Sequence, residues 1–215
     1  MLAAYRAQAV PGPYRADAQS AGRRALRNQC LGYLMELDDP ALRALASGQL
    51  HGADNMTDAI AALGALANCD CPERAPALDA FYAKWQHEPL VVDKWLAIQA
   101  GSRLAGTLAE VQRLARHEAF DVRNPNKVYA LIGGFRANQV RFHAADGSGY
   151  AFLAAQVIAL DAMNPQVAAR MARGFDRWRK FDAGRQAHAR AALERIRGVQ
   201  GLSKDVLEIV TRALA

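Results

Sequence analysis

The sequence predicts an all-α fold, arranged as a right-handed αα superhelix or solenoid of about eleven or twelve antiparallel helices. Three observations carry that expectation. Apolar residues recur at helical spacing along nearly the whole chain, no stretch alternates β-branched and polar residues as a strand would, and repeated Asx-Pro pairs mark helix starts. The opening MLAAYRAQAV reads as the end of an amphipathic helix without an N-cap, broken by PGPY, which suggests a chain continued upstream. In ALRNQCLGYLMEL the residues Leu26, Cys30, Tyr33, Leu34 and Leu37 line one predicted helix face. The spacing returns in Ile60, Leu63 and Leu66, in Leu78, Phe81, Tyr82 and Trp85, and in Val91, Trp95 and Ile98. It continues in Leu108, Val111 and Leu114, in Leu153, Val157 and Leu160, and in Val206, Ile209, Val210 and Ala213. Asp39-Pro40, Asn124-Pro125 and Asn164-Pro165 each set a capping side chain before a proline, whose missing N–H is harmless in a first helical turn. Short links between helices of similar length make neighbours antiparallel, which favours one stacked domain over residues 1–215.

Composition narrows the class. With 215 residues, 52% of them hydrophobic, the chain can bury a sizeable core. No apolar run approaches the roughly 20 residues that cross a bilayer, and no secretory leader is legible, so the expected compartment is the cytoplasm. Cys30, Cys69 and Cys71 are an odd number without a disulfide framework and are expected to be reduced, structural thiols. The net charge of +6 gathers in the last third, from Arg170 to Arg197, where a solvated, ion-paired helix face is expected rather than a nucleic-acid footprint.

Several fragments imitate catalytic motifs. HEPLV (His87, Glu88) and HEAFD (His117, Glu118) begin like His-Glu-x-x-His, in which histidines one turn apart share a zinc ion. Val91 and Asp121 stand where the second histidine belongs, so no metal site is expected. The Cys69-Asp70-Cys71 triplet supplies at most half of a structural zinc site. GSGYAF (147–152) places Phe152 at the third glycine of a dinucleotide fingerprint, with no strand before it. In FHAADGSGY (142–150), Ser148, His143 and Asp146 are too close in sequence to align as a triad. The expected role there is a turn, with Asp146 or Ser148 capping a helix that begins near Tyr150.

Longer strings carry more. RNQCLGYLMELDDP (27–40), ADNMTDAIAALGAL (53–66), FYAKWQHEPLVVDKW (81–95), RNPNKVYALIGGF (123–135), FHAADGSGY (142–150) and NPQVAAR (164–170) closely resemble the C-terminal domain of bacterial aminopeptidase N, the zinc alanyl aminopeptidases of the gluzincin family. The resemblance runs in register over essentially the whole chain. It implies a helical superhelix that packs on a catalytic domain and closes over its peptide cavity. In that family one zinc, held upstream by His-Glu-x-x-His and a glutamate, supports removal of N-terminal residues from peptides. None of those ligands lies in this sequence, so no catalytic or metal residue is carried over. The resemblance does imply cavity-facing basic side chains, with Arg170 the first candidate and Lys127 the second. An arginine fork near a helix N-terminus would offer paired donors to a peptide carboxylate. The implied partners are the catalytic domain and the peptide, with no membrane and no nucleic acid, and the domain face left open in this chain is expected to self-associate. The alternative is a free-standing αα-repeat module that binds nucleic acid or protein.

Overall fold

The computed structural model describes all residues from Met1 to Ala215. It is helical throughout, without a strand. Two compact units divide it, Met1–Ile98 and Gln99–Ala215. The first holds α1 (Leu2–Ala7), α2 (Ala18–Leu34), α3 (Pro40–Gly52), α4 (Met56–Ala67), α5 (Arg74–Trp85) and nearly all of α6 (Pro89–Ala100). The second holds α7 (Thr107–Leu114), α8 (Pro125–Val128), α9 (Gly134–Ala137), α10 (Gln139–Phe142), α11 (Ser148–Asp161), α12 (Pro165–Ala172), α13 (Ala183–Arg197) and α14 (Lys204–Leu214). A π-helical turn, Tyr129–Gly133, carries α8 straight into α9. That turn and the single-turn helix α10 raise the number of α-helical segments to fourteen, above the expected eleven or twelve. No helix is long and apolar enough to cross a membrane.

The Asx-Pro pairs act as predicted. Asp39 accepts from the Ala41 N–H at 2.7 Å, Asn124 from Asn126 at 3.0 Å and Asn164 from Val167 at 3.2 Å. Each bond satisfies a backbone donor that a helix start leaves without an intrahelical acceptor. Asp17, Asn55, Asp182 and Ser203 cap α2, α4, α13 and α14 in the same way.

In the first unit the buried face of α2 shares Cys30 and Leu34 with the predicted one but is turned away from the rest of it. Cys30, Leu31, Leu34 and Met35 are inside, while Leu26, Tyr33 and Leu37 are 49%, 56% and 70% exposed. Arg24 takes an inward position, its guanidinium carbon 4.7 Å from the centre of the Tyr14 ring and its Nη2 donating to the Arg15 carbonyl. A buried polar network joins the helices: Tyr5 Oη donates to Gln49 at 2.8 Å, Gln49 Nε2 to Asn28 at 2.7 Å, and Asn28 Nδ2 to Asp58 at 2.8 Å.

The second unit is built around aromatic rings. Phe142 meets Phe135, Tyr150 and Phe175 with centroids 6.3, 5.3 and 6.3 Å away, all near edge-to-face. Such geometry sets a positive ring edge against a negative ring face. Helix α14 buries Val206 and Val210, and the second unit holds both its ends. Asp161 accepts from the Ser203 N–H at 2.8 Å and from its hydroxyl, and Trp178 Nε1 and Arg179 Nη1 donate to the Ala213 carbonyl.

Candidate functional site

Arginines converge in one place. Helix α12 carries Arg170 in its last turn, exposed, with its guanidinium carbon 5.3 Å from the centre of the Tyr129 ring on the π-turn. The expectation of a helix N-terminus beside Arg170 is therefore corrected: the nearer dipole end is the negative one, which favours the cation but adds nothing to anion binding. Arg136, from α9, reaches across and donates Nη1 to the Arg170 carbonyl at 2.6 Å. Its stem lies on Gly174, where a Cβ would stand 2.7 Å from Arg136 Cδ, so glycine leaves the passage open. Arg173 and Arg177 complete the cationic wall of a cavity of about 470 Å³. The only acid on that wall is Asp176, which pairs with Arg173 at 3.1 Å. Burial holds the Arg136 guanidinium below its ordinary pKa, with Asp176 opposing the shift and the charges of Arg170 and Arg173 adding to it.

His143 and Phe181 line the same cavity. The histidine is buried, stacks on Phe181 at 3.9 Å and shares a 2.8 Å hydrogen bond between Nδ1 and the Tyr150 hydroxyl. Around it FHAADGSGY folds as a turn. Asp146 Oδ1 accepts from Ser148 N at 3.0 Å and from its hydroxyl at 2.7 Å, and Gly147 has a φ of +72°. Helix α11 thus starts at Ser148, two residues before the expected Tyr150. Burial, and then the nearby Arg185, hold the His143 pKa below its ordinary 6.5. The unfolded chain then binds more protons than the folded one between the two values. This contribution to stability is complete above about pH 6.5 and is lost as pH falls through the folded-state value. Urea midpoints of the native chain should drop between pH 7.5 and pH 5, and His143→Gln should flatten that part of the profile.

Other candidates fall apart or pair off. Lys127 sits in α8 at 8% exposure and does not line the Arg170 cavity. His87 and Glu88 are exposed between α5 and α6, whereas His117 Nδ1 accepts from the Ala119 N–H at 3.0 Å just after α7. No three histidine, cysteine, aspartate or glutamate side chains converge in a group that could hold a metal ion. All three cysteines are free. Burial, the Cys71 sulfur and Asp38 push the Cys69 thiol up to about 12, which makes it a poor nucleophile. In the arginine-rich tail, Arg185 pairs with Asp182 and Arg190 with Glu194, while Arg179 caps the end of α14. A mainly apolar hollow in the first unit, walled by Leu50, Met56, Phe81 and Trp85, offers no comparable chemistry.

Sequence reasoning singled out Arg170 and passed over Arg136, which lines the same cavity. The spacing of Arg170, Arg173 and Arg177 was a legible signal; Arg136 is 34 residues away, and only the fold brings it in.

Residues 1–215 match the family described as a domain of unknown function (DUF3458_C) with ARM repeats. The chain belongs to the DUF3458_C family. This DUF3458_C chain is 41% identical over 216 residues to aminopeptidase N of Escherichia coli, a match covering 100% of the chain and 25% of that relative. It is 40% identical to aminopeptidase N of Caulobacter vibrioides, over 95% of the chain and 24% of the relative. The matched part is the relatives' C-terminal region. Among solved structures, Legionella pneumophila aminopeptidase A in complex with aspartic acid superposes with a TM-score of 0.90 at 33% identity, covering 98% of this chain and 26% of that one. The DUF3458_C chain thus spans about a quarter of the length of its relatives.

Proposed function

We propose that this DUF3458_C domain is the non-catalytic C-terminal part of a cytoplasmic, zinc-dependent aminopeptidase, where it gates and lines the substrate cavity. The zinc and its ligands belong to the catalytic domain, which is the partner this chain docks against. Within the cavity Arg170 holds the peptide's C-terminal carboxylate. The observation that carries this reading is the match to aminopeptidase N along the whole chain, together with an exposed Arg170 on the wall of an arginine-lined cavity. The outward side chains Leu26 and Tyr33 of α2 and Leu37 of the 3₁₀ turn after it supply apolar surface for the partner, and for self-association when the partner is absent. The alternative of a nucleic-acid module loses support, because many tail arginines are engaged by acids or helix ends within the domain.

The test is Arg170→Ala in the enzyme that contains this domain. A lost charge-assisted pair to a carboxylate costs about 1.5–3 kcal/mol, so KM for peptides should rise roughly tenfold to a hundredfold with kcat little changed. An alanine chromogenic amide has no carboxylate and should be turned over as before. Equal effects on both substrates would remove Arg170 from the carboxylate site. Peptidase activity in the purified 215-residue chain with stoichiometric zinc would sink the non-catalytic reading.

A further inference from the structure

The charge around Arg170 exceeds what one carboxylate needs. Four guanidinium groups line the cavity against one acid, Asp176, which pairs with Arg173 and also acts electrostatically on Arg136. Arg177 makes neither an ion pair nor a side-chain hydrogen bond. Arg170 has the Tyr129 ring as its side-chain partner, and Arg136 spends one donor on a backbone carbonyl. A single carboxylate is saturated by one arginine fork, through two parallel N–H···O bonds. Filling this cavity with one would leave two more cations facing each other, and Arg136 is partly buried, where like charges are poorly screened.

We propose that the Arg136, Arg170, Arg173 and Arg177 cavity is a receptor for a dianion, and that it selects peptides whose C-terminal residue is acidic. In such a residue the α-carboxylate and the side-chain carboxylate lie a few bonds apart. One engages Arg170 and the other lies between Arg136 and Arg177. The cavity volume of about 470 Å³ suits one terminal residue rather than a polymer. Phe181, stacked on the buried His143, adds apolar lining for the residue's methylene stem. Gly174 belongs to the specificity as well, because a Cβ there would crowd both the Arg136 stem and Leu153. This inference rests on the reading that the cavity meets the peptide's C-terminus.

Calorimetric titration of the 215-residue chain at low salt and pH 7.5 tests it with two tetrapeptides, Ala-Ala-Ala-Asp and Ala-Ala-Ala-Asn, and with inorganic phosphate. The Asp-ended peptide should bind at least about tenfold more tightly. That preference should shrink to about twofold in Arg136→Gln and in Arg177→Gln, while affinity for the Asn-ended peptide stays within about twofold. Arg177 is exposed and without a side-chain hydrogen bond, so its variant keeps the test valid if Arg136→Gln folds poorly. Equal binding of both peptides, abolished by Arg170→Ala, would overturn the dianion receptor and leave the carboxylate role of Arg170 standing. Binding of neither peptide would overturn both. Binding of phosphate alone would mark an inorganic anion site and overturn the peptide selectivity.

Discussion

Phe142→Ala should lower the stability of the second unit by about 3–5 kcal/mol. The ring is 1% exposed and touches Phe135, Tyr150, Phe175 and the His143 imidazole, so its loss opens a void among rings held by other elements. Those rings come from α9, α11 and the 3₁₀ turn Arg173–Phe175, and collapse into the void would require all three to move together. The loss is a large share of the 5–15 kcal/mol that ordinarily separates folded from unfolded domains. Urea unfolding measures it, and native-state hydrogen exchange locates it. Amides of Gln99–Ala215 should lose protection well ahead of those of Met1–Ile98. A cost below 1 kcal/mol would mean that the aromatic cluster is not the centre of the unit.

Gly149→Ala should be nearly as damaging, by about 3 kcal/mol, although it adds one methyl group. A Cβ at this position would lie 2.2 Å from the Phe142 carbonyl oxygen and 2.8 Å from its carbon. The obstacle is backbone, so no rotamer change relieves it; α10 and α11 must separate, and the aromatic cluster opens with them. Gly64 in α4 is the control. It has nothing within 4 Å of a built Cβ, and Gly64→Ala should stabilise by about 0.5–1 kcal/mol through the unfolded chain. Parallel thermal melts of the two variants should therefore shift in opposite directions. A Gly149→Ala chain as stable as the parent would show that the close approach of α10 and α11 is dispensable.

Local signals were legible in the sequence and long-range ones were not. A cap needs only its own turn, so Asp39, Asn124 and Asn164 could be read from an Asx-Pro pair alone. The face of α2 could not, because apolar residues occupy both sides of that helix and its packing on α1 and α4 selects between them. The division at Gln99 falls inside the last turn of α6, two residues before the glycine that follows that helix, so the Gly101-Ser102 break marks it only approximately. In the cavity Arg170 was within reach of motif reading. Arg136 joins it across 34 residues, and the demand for glycine at 174 comes from the close approach of Arg136 and Leu153 rather than from any turn.

The π-turn at Tyr129–Gly133 also sets an angle. A π-helical turn holds one residue more than the α-helical path around it, so the helix before it is rotated by about 100° relative to the helix after it. That offset fixes the azimuth of Lys127 and Tyr129 against Arg136, although all three lie on one unbroken helical run. Deleting Ala130 would leave a regular helix and swing the Tyr129 ring out from under Arg170. The orientation of the cavity's arginines is thus encoded partly as residue number, and chain length within this run is as much a determinant of the site as the identity of the side chains.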